Sequence, residues 1–321
     1  MQRLDVAVEH WPIAGSFTIS RGSRTEAVVV VATITNGDAI GRGECVPYTR
    51  YGESVESVVA QIRSMEAAIA DGMTREALIH NLDAGAARNA IDCALWDLEV
   101  HRTGQPLYTL AGMPKPEPMT TAYTISLGTP EVMHEAAKRA ADRPLLKVKL
   151  GGNGDPERLA AVRDGAPNAR LIVDANEAWR AETLAENIAA CERAGIALIE
   201  QPLPAGEDAA LATLKTSIAI CADESIHDAA SLAALPAWYT AINIKLDKTG
   251  GLTNALALLQ AAKARGLGIM VGCMVGTSLG TIPAIILAQG ADFIDLDGPL
   301  LLAKDRENSL RYHGSTLMPP W

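Results

Sequence analysis

Aromatic residues are scarce in this chain of 321 residues: 2 Phe, 5 Trp and 6 Tyr, or 4%. That leaves little for a base-stacking surface. The apolar 48% is carried mainly by alanine, valine, leucine and isoleucine, which suit close helix-on-sheet packing and suffice for a sizeable core. Basic residues are in deficit as well. The 28 Lys and Arg against 38 Asp and Glu leave a net charge of -10, so the basic footprint that nucleic acid or an anionic membrane selects is missing. Cysteine is limited to Cys45, Cys93, Cys191, Cys221 and Cys273, an odd set with no CxxC pair. This argues for free thiols in a reducing compartment. No apolar run reaches transmembrane length uninterrupted, and the opening residues MQRLDVAVEHW put charges where a signal peptide needs an apolar stretch. These absences predict a soluble, cytoplasmic protein that binds neither nucleic acid nor membrane.

What is present falls into two rhythms. Residues 1–50 read as strands: Leu4, Val6 and Val8 share a face, and AVVVVATIT (27–35) is a β-branched run. Asn36-Gly37 then predicts a two-residue type I′ hairpin turn. SFTISRGSR (16–24) reads as a solvated loop carrying Arg21 and Arg24. Residues 53–112 read as helices, the last of them ending at Gly104 as a C-cap; Asp92, Trp96 and Asp97 on it read as structural. AGMPKPEP (111–118) looks like a linker. From Met119 strands and helices alternate, with strands expected at 121–127, 145–150, 169–175, 196–202, 217–223, 241–247, 268–274 and 292–297. Eight near-equal units favour a closed (β/α) barrel over a doubly wound sheet. The tail 298–321 adds no further unit and is expected to pack back on the N-terminal part.

The charged residues gather at the predicted strand ends. Lys147 and Lys149, two apart in LLKVKLG (145–151), project to one face of a strand. Lys149, Asp174, Glu200, Asp223 and Lys245 follow one another at intervals of 22 to 26 residues, one βα unit per step, and barrel active sites lie at the C-terminal strand ends. Three carboxylates in one mouth repel unless a hard divalent cation, Mg²⁺, joins them. Lysines one strand before and one strand after would face each other across the mouth. A lysine in a partly dry, positively charged site has a lowered pKa and acts as a base. Two such lysines suit removal and return of a proton next to a carboxylate, inverting a stereocentre. Alone, each charged residue could equally be a cap or a rim salt bridge; the weight comes from their being in phase.

KVK (147–149), DAN (174–176), EQP (200–202), DES (223–225) and KLDKTGG (245–251) together resemble the enolase superfamily, in its muconate-lactonizing subgroup, and AARNAIDCALWDL (86–98) is similar to that family's capping region. The resemblance implies a modified (β/α)7β TIM-type barrel (116–299) with an α+β capping domain (1–115, completed by 300–321). It also implies Mg²⁺ on Asp174, Glu200 and Asp223, a metal-stabilised enolate, Lys149 and Lys245 as the acid/base pair, and Lys147 near the substrate carboxylate. Asp295 and Asp297, two apart on the eighth strand, could bind an ammonium, and this DxD is similar to that of dipeptide epimerases. SRGSRT and TRYGES resemble the capping loops of the L-Ala-D/L-Glu epimerases. The resemblance assigns Arg24, with Arg21 as the substitute, to a glutamate side chain, and Thr124, Cys273, Met274 and Val275 to dipeptide contacts. The expected setting is salvage of murein peptides, the expected partner a small dipeptide, and barrels of this family often form homo-oligomers. The competing expectations are an N-acylamino acid racemase, a cycloisomerase, a dipeptide epimerase of other side-chain preference, a catalytically dead scaffold and a Schiff-base aldolase.

Overall fold

The computed structural model describes residues 1–321. The N-terminal part is an antiparallel sheet of β1 (Arg3–Ile19), β2 (Gly22–Asn36) and β3 (Ala39–Cys45). Helices α1 (Val55–Ser64), α2 (Glu66–Ala70), α3 (Arg75–Asn81) and α4 (Ala86–Thr103) follow. Alanines on one face of α4 let it lie close on the sheet, with Ala90 and Ala94 in one core with Val30, Ala32 and Ile34. Glycines on β3 complete the fit: a Cβ at Gly41 would stand 2.2 Å from the Ala94 carbonyl oxygen, and one at Gly43 2.1 Å from that of Ala90. Gly104 caps α4 in the left-handed region at φ 68°. Residues 111–118 carry no helix or strand.

After β4 (Met119–Thr120) comes the barrel: β5 (Tyr123–Ile125), β6 (Leu145–Lys149), β7 (Arg170–Asp174), β8 (Ile196–Glu200), β9 (Ala219–Ala222), β10 (Ala241–Ile244), β11 (Gly268–Gly272) and β12 (Phe293–Asp295). They are parallel and hydrogen-bonded in sequence order. The ring closes by Ala122 N–H donating to the Ile294 carbonyl at 2.7 Å and Leu296 N–H donating to Thr121 Oγ1 at 2.8 Å. All eight expected strands exist, with trimmed ends. Their outer faces and the covering helices form a core of 54 buried residues. No helix is long and apolar enough to cross a membrane.

One layer explains where the site lies. Ala122, Leu145, Ile172, Leu198, Cys221, Ala241, Met270 and Phe293 fill the barrel floor, one from each strand or its entry. Side chains two apart on a strand share a face. Stepping up by two therefore brings Thr124, Lys147, Asp174, Glu200, Asp223, Asn243 and Asp295 inward above this floor, and a second step brings Lys149, Lys245 and Asp297.

Three local expectations differ from the structure. Residues 16–24 form a β-hairpin arm, with Phe17 opposite Arg24 and Ile19 opposite Gly22, beyond an irregularity between Pro12 and Phe17. Polar composition hid the pairing, which is supported by docking on the barrel through Leu127 N–H to the Thr18 carbonyl. Asn36 pairs with Ala39, so the turn residues are Gly37-Asp38, and of the two only Gly37 has positive φ, which rules out type I′. The tail divides. Leu302 and Ala303 bond to Ile13 and Pro12 of β1, whereas β13 (Arg311–His313) and β14 (Thr316–Met318) form a hairpin whose β14 pairs with β4 at the start of the barrel.

Candidate active site

Every candidate residue except Asp174 and Glu200 lines one cavity of about 880 Å³, counting its open mouth, a size suited to a small ligand. Asp174 and Glu200 lie just beneath, with 0% exposure. The strands hold them side by side, Asp174 in register with Glu200 and Glu200 with Cys221. The backbone turns sharply after the first two carboxylates: Asn176, Glu177 and Gln201 are the non-glycine residues at positive φ, 45°, 65° and 33°. Such strain persists where surrounding structure over-determines it, and it clusters at functional sites.

Four buried lysines meet four buried carboxylates here. Lys149 Nζ is 2.7 Å from Asp174 Oδ2. Lys147 Nζ is 2.7 Å from both Glu200 Oε2 and Asp295 Oδ2 and 3.2 Å from Asp174 Oδ2. Lys245 and Lys248 take the two oxygens of Asp223 at 2.7 and 2.6 Å. Burial alone would raise Asp174 and Asp223, but the lysines outweigh it and hold both below the usual carboxylate range. Glu200 goes the other way, pushed up by burial and by Asp174 beside it. The expectation of a lowered lysine pKa is corrected for Lys245: burial would lower it, but Asp223 and Glu200 hold its ammonium well above the ordinary value. The mouth is balanced in charge, and positive charge does not prevail in it.

The donor set fits a divalent ion. It consists of hard oxygens on three adjacent strands, and buried Glu200 Oε2 lies near Lys147 but satisfies no hydrogen bond. As placed, the oxygens turn toward lysines, and no three acidic, His or Cys side chains converge on one point.

The eighth strand's pair is partly engaged. Asp295 Oδ1 is buried without a partner while Oδ2 takes Lys147; Asp297 Oδ2 accepts from Thr124 N–H at 2.7 Å. Burial and the neighbouring Asp295 push the Asp297 carboxyl up. Thr124 thus acts on the site through its main chain. Cys273 turns its thiol to the Asp295 carbonyl at 3.4 Å.

The two arginines have separate roles. Arg21 at the hairpin tip is a clasp: it donates to Glu224 at 2.8 Å, Tyr48 Oη at 2.8 Å, the Asn176 carbonyl at 2.9 Å and Glu177 at 3.2 Å. Arg50 joins the same Glu177 at 2.6 Å. Arg24 forms no ion pair; its guanidinium lies 5.8 Å from the Tyr48 ring centre and lines the cavity.

Sequence reasoning passed over Asn243, Lys248, Glu177, Glu224 and Gln201. Asn243 donates to Glu200 Oε1 at 2.7 Å, and its place two residues before Lys245 on the inward face was signal enough. Lys248 sits on the turn after β10, and Arg21–Glu224 joins residues 203 apart, where strand periodicity says nothing.

Helix α4 braces the turn that follows Lys245. Arg88 donates to the Thr249 and Gly250 carbonyls at 2.8 and 3.2 Å, Asn89 to Asp247 at 2.9 Å, and Trp96 to Thr253 at 2.9 Å.

Comparison with known proteins agrees with this arrangement. Residues 1–112 match the family described as mandelate racemase / muconate lactonizing enzyme, N-terminal domain, and residues 131–298 match enolase C-terminal domain-like. The chain belongs to the enolase superfamily. It is 49% identical, over 97% of its length and 98% of the relative's, to an L-Ala-D/L-Glu epimerase of Escherichia coli K12. It is 42% identical, over 91% and 93%, to an N-acetyl-D-glutamate racemase of Pseudoalteromonas. Among solved structures, an enolase family member of Agrobacterium tumefaciens with bound sodium and L-Ala-L-Glu superposes with TM-score 0.98 at 52% identity, covering 100% of this chain and 98% of that one. A dipeptide epimerase of Cytophaga hutchinsonii complexed with Mg and D-Ala-L-Val gives 0.92 at 27%, covering 100% and 93%. These relatives are isomerases acting on amino acid derivatives, and this enolase superfamily member is an isomerase.

Proposed function

We propose that this isomerase is a magnesium-dependent dipeptide epimerase that interconverts L-Ala-L-Glu and L-Ala-D-Glu by 1,1-proton transfer at the α-carbon of the C-terminal residue. The observation that carries the reading is the placement of Lys149 and Lys245. They leave β6 and the end of β10, four strands apart in a ring of eight, and so reach the cavity from opposite walls. Between them lie the three carboxylate strands. Asp174, Glu200 and Asp223 are the residues to hold Mg²⁺, which when bound polarises the substrate's α-carboxylate and makes the α-proton more acidic.

The chain's own residues do the rest. The neutral amine of one lysine takes the α-proton from one face and the ammonium of the other delivers a proton to the opposite face, which inverts the centre. With Asp223 and Glu200 engaged by a bound cation, the counter-charge that holds Lys245 as an ammonium is relieved, and that lysine can serve as the base. Lys147 places a further ammonium toward the α-carboxylate. Asp295 and Asp297 take the substrate's free ammonium. Arg24, uncommitted within the protein, takes the side-chain carboxylate at the capping-domain wall. Such dipeptides are murein fragments, so peptide salvage in the cytoplasm is the setting this reading assigns.

The test is mass spectrometry of a dipeptide panel incubated with the protein and Mg²⁺ in D₂O. A gain of about one dalton on L-Ala-L-Glu, lost with chelator, is expected. No exchange on any dipeptide overturns the reading. A second reading, racemisation of N-acylated glutamate, is favoured by the Pseudoalteromonas relative and by the partial engagement of Asp295 and Asp297 with Lys147 and Thr124. N-acetylglutamate in the same panel separates the two.

A further inference from the structure

We infer that Gln201 is a positioning residue of the metal site, tying the loops after β7, β8 and β9 together and so fixing the spacing of Asp174, Glu200 and Asp223. The inference rests on the metal reading above and goes beyond it, since Gln201 supplies no ligand.

The residue has 0% exposure and follows Glu200 directly. Its side-chain oxygen accepts two main-chain bonds, from Asp223 N–H at 2.9 Å and Ser225 N–H at 3.1 Å. Its amide nitrogen faces the Leu203 carbonyl at 3.0 Å, Ser225 Oγ at 2.9 Å and Tyr239 Oη at 2.9 Å. The orientation of the amide is chemically fixed: main-chain N–H groups only donate and a carbonyl only accepts. Its main chain reaches both neighbours as well. Its N–H donates to the Cys221 carbonyl of β9, and its carbonyl accepts from Glu177 N–H in the loop after Asp174, both at 2.9 Å.

One residue thus bonds the segments that carry the first and third carboxylates while being adjacent in sequence to the second. Its φ of 33° lies where non-glycine residues are strained. The bonds on both sides of the amide keep the conformation in place. The uncharged amide supplies at once an oxygen that accepts from Asp223 and Ser225 and an NH₂ that donates toward Leu203. Groups that orient metal ligands without touching the ion commonly change affinity 10- to 100-fold when removed.

The experiment measures Mn²⁺, as a probe of the divalent site, by electron paramagnetic resonance titration of the unsubstituted protein, Gln201→Met, Gln201→Glu and Tyr239→Phe. Each is paired with its melting temperature. Gln201→Met keeps length but loses the acceptor, and its Mn²⁺ affinity is expected to fall at least about tenfold. Gln201→Glu keeps the acceptor toward Asp223 and is expected to bind within about threefold of the unsubstituted protein, or more tightly. Tyr239→Phe removes a partner on the far side of the amide and is expected to lower the melting temperature while leaving Mn²⁺ affinity in place. Equal affinity in Gln201→Met overturns the inference, and so does an equal loss in Tyr239→Phe, which would make packing the cause. Should Gln201→Met not fold, Gln201→Glu decides: retained affinity supports the inference and lost affinity overturns it. No Mn²⁺ uptake by the unsubstituted protein overturns the metal reading itself, and the inference with it.

Discussion

At the barrel mouth, Asp174 and Asp223 face lysine ammoniums at 2.7 Å and are held below the usual carboxylate range. Where α4 meets the barrel, two carboxylates, buried Asp92 and partly buried Asp247, face neutral donors instead. Asp92 accepts from Thr253 N–H at 3.0 Å and from its hydroxyl; Asp247 accepts from Val46 N–H at 3.0 Å and Asn89 at 2.9 Å. Burial pushes these two up to about 6 and about 7. Desolvation is shared, so counter-charge decides the outcome. At the mouth the lysines keep Asp174 and Asp223 ionised, while Glu200, beside Asp174, is pushed up. The junction keeps its carboxylates protonatable, as joints that seal the capping domain onto the turn after Lys245.

The strongest way to break the comparison is to remove a mouth lysine. Lys149→Ala and Lys245→Ala are each expected to lower epimerisation by at least about 10²- to 10⁴-fold, as loss of an acid/base group does. Polarimetry or chiral chromatography of L-Ala-L-Glu checks this. Full activity in either variant would sink the two-base mechanism.

Next come Asp295→Asn and Asp297→Asn. Loss of a charged partner for the substrate ammonium is expected to cut kcat/KM for dipeptides about 10- to 100-fold, and N-acetylglutamate turnover much less. Equal losses on both substrates would assign the pair a structural role. Arg24→Met is expected to raise KM for L-Ala-L-Glu about tenfold and to leave any L-Ala-L-Ala turnover unchanged. A uniform change on both dipeptides would remove Arg24 from side-chain recognition.

The mouth was far more legible in the sequence than the junction. Lys147, Asp174, Glu200 and Asp223 sit two residues above the barrel floor, so strand periodicity and repeat spacing carry them to one place. Asn243 obeys the same rule and needed only the same attention. Gln201 is different: its side chain works across loops, through bonds to Asp223 and Ser225 that no period encodes. The hairpin arm at 16–24 was hidden because strand pairing there is backbone-driven, with polar side chains such as Ser16, Thr18 and Ser23 giving no apolar alternation. Asp92 and Asp247 belong to partners far apart in sequence. Position on α4 identified Asp92 as structural but not what it joins.

The smallest expected effect falls at the junction, and it is one of stability. Asp247 is partly buried, faces Val46 and Asn89 as neutral donors, and has Glu53 and Glu44 near it as like charges. Its folded pKa of about 7 lies above the ordinary 3.8. Between those values the folded protein holds a proton that the unfolded chain releases. The stability from protonated Asp247 is therefore fully present below pH 3.8 and is lost as pH rises through 7. At about 1.4 kcal/mol per pKa unit, the ionised group costs up to roughly 4 kcal/mol above pH 7. Asp247→Asn keeps an oxygen to accept from Val46 and Asn89 and never ionises. Its melting temperature relative to that of the unsubstituted protein should climb by a few degrees between pH 5 and pH 8, levelling off above pH 7. A gap that stays constant from pH 5 to 8 would mean that ionised Asp247 costs nothing here. The junction would then hold a counter-charge as the mouth does, and the contrast between neutral joint and ionic site would fail at the residue on which it is clearest.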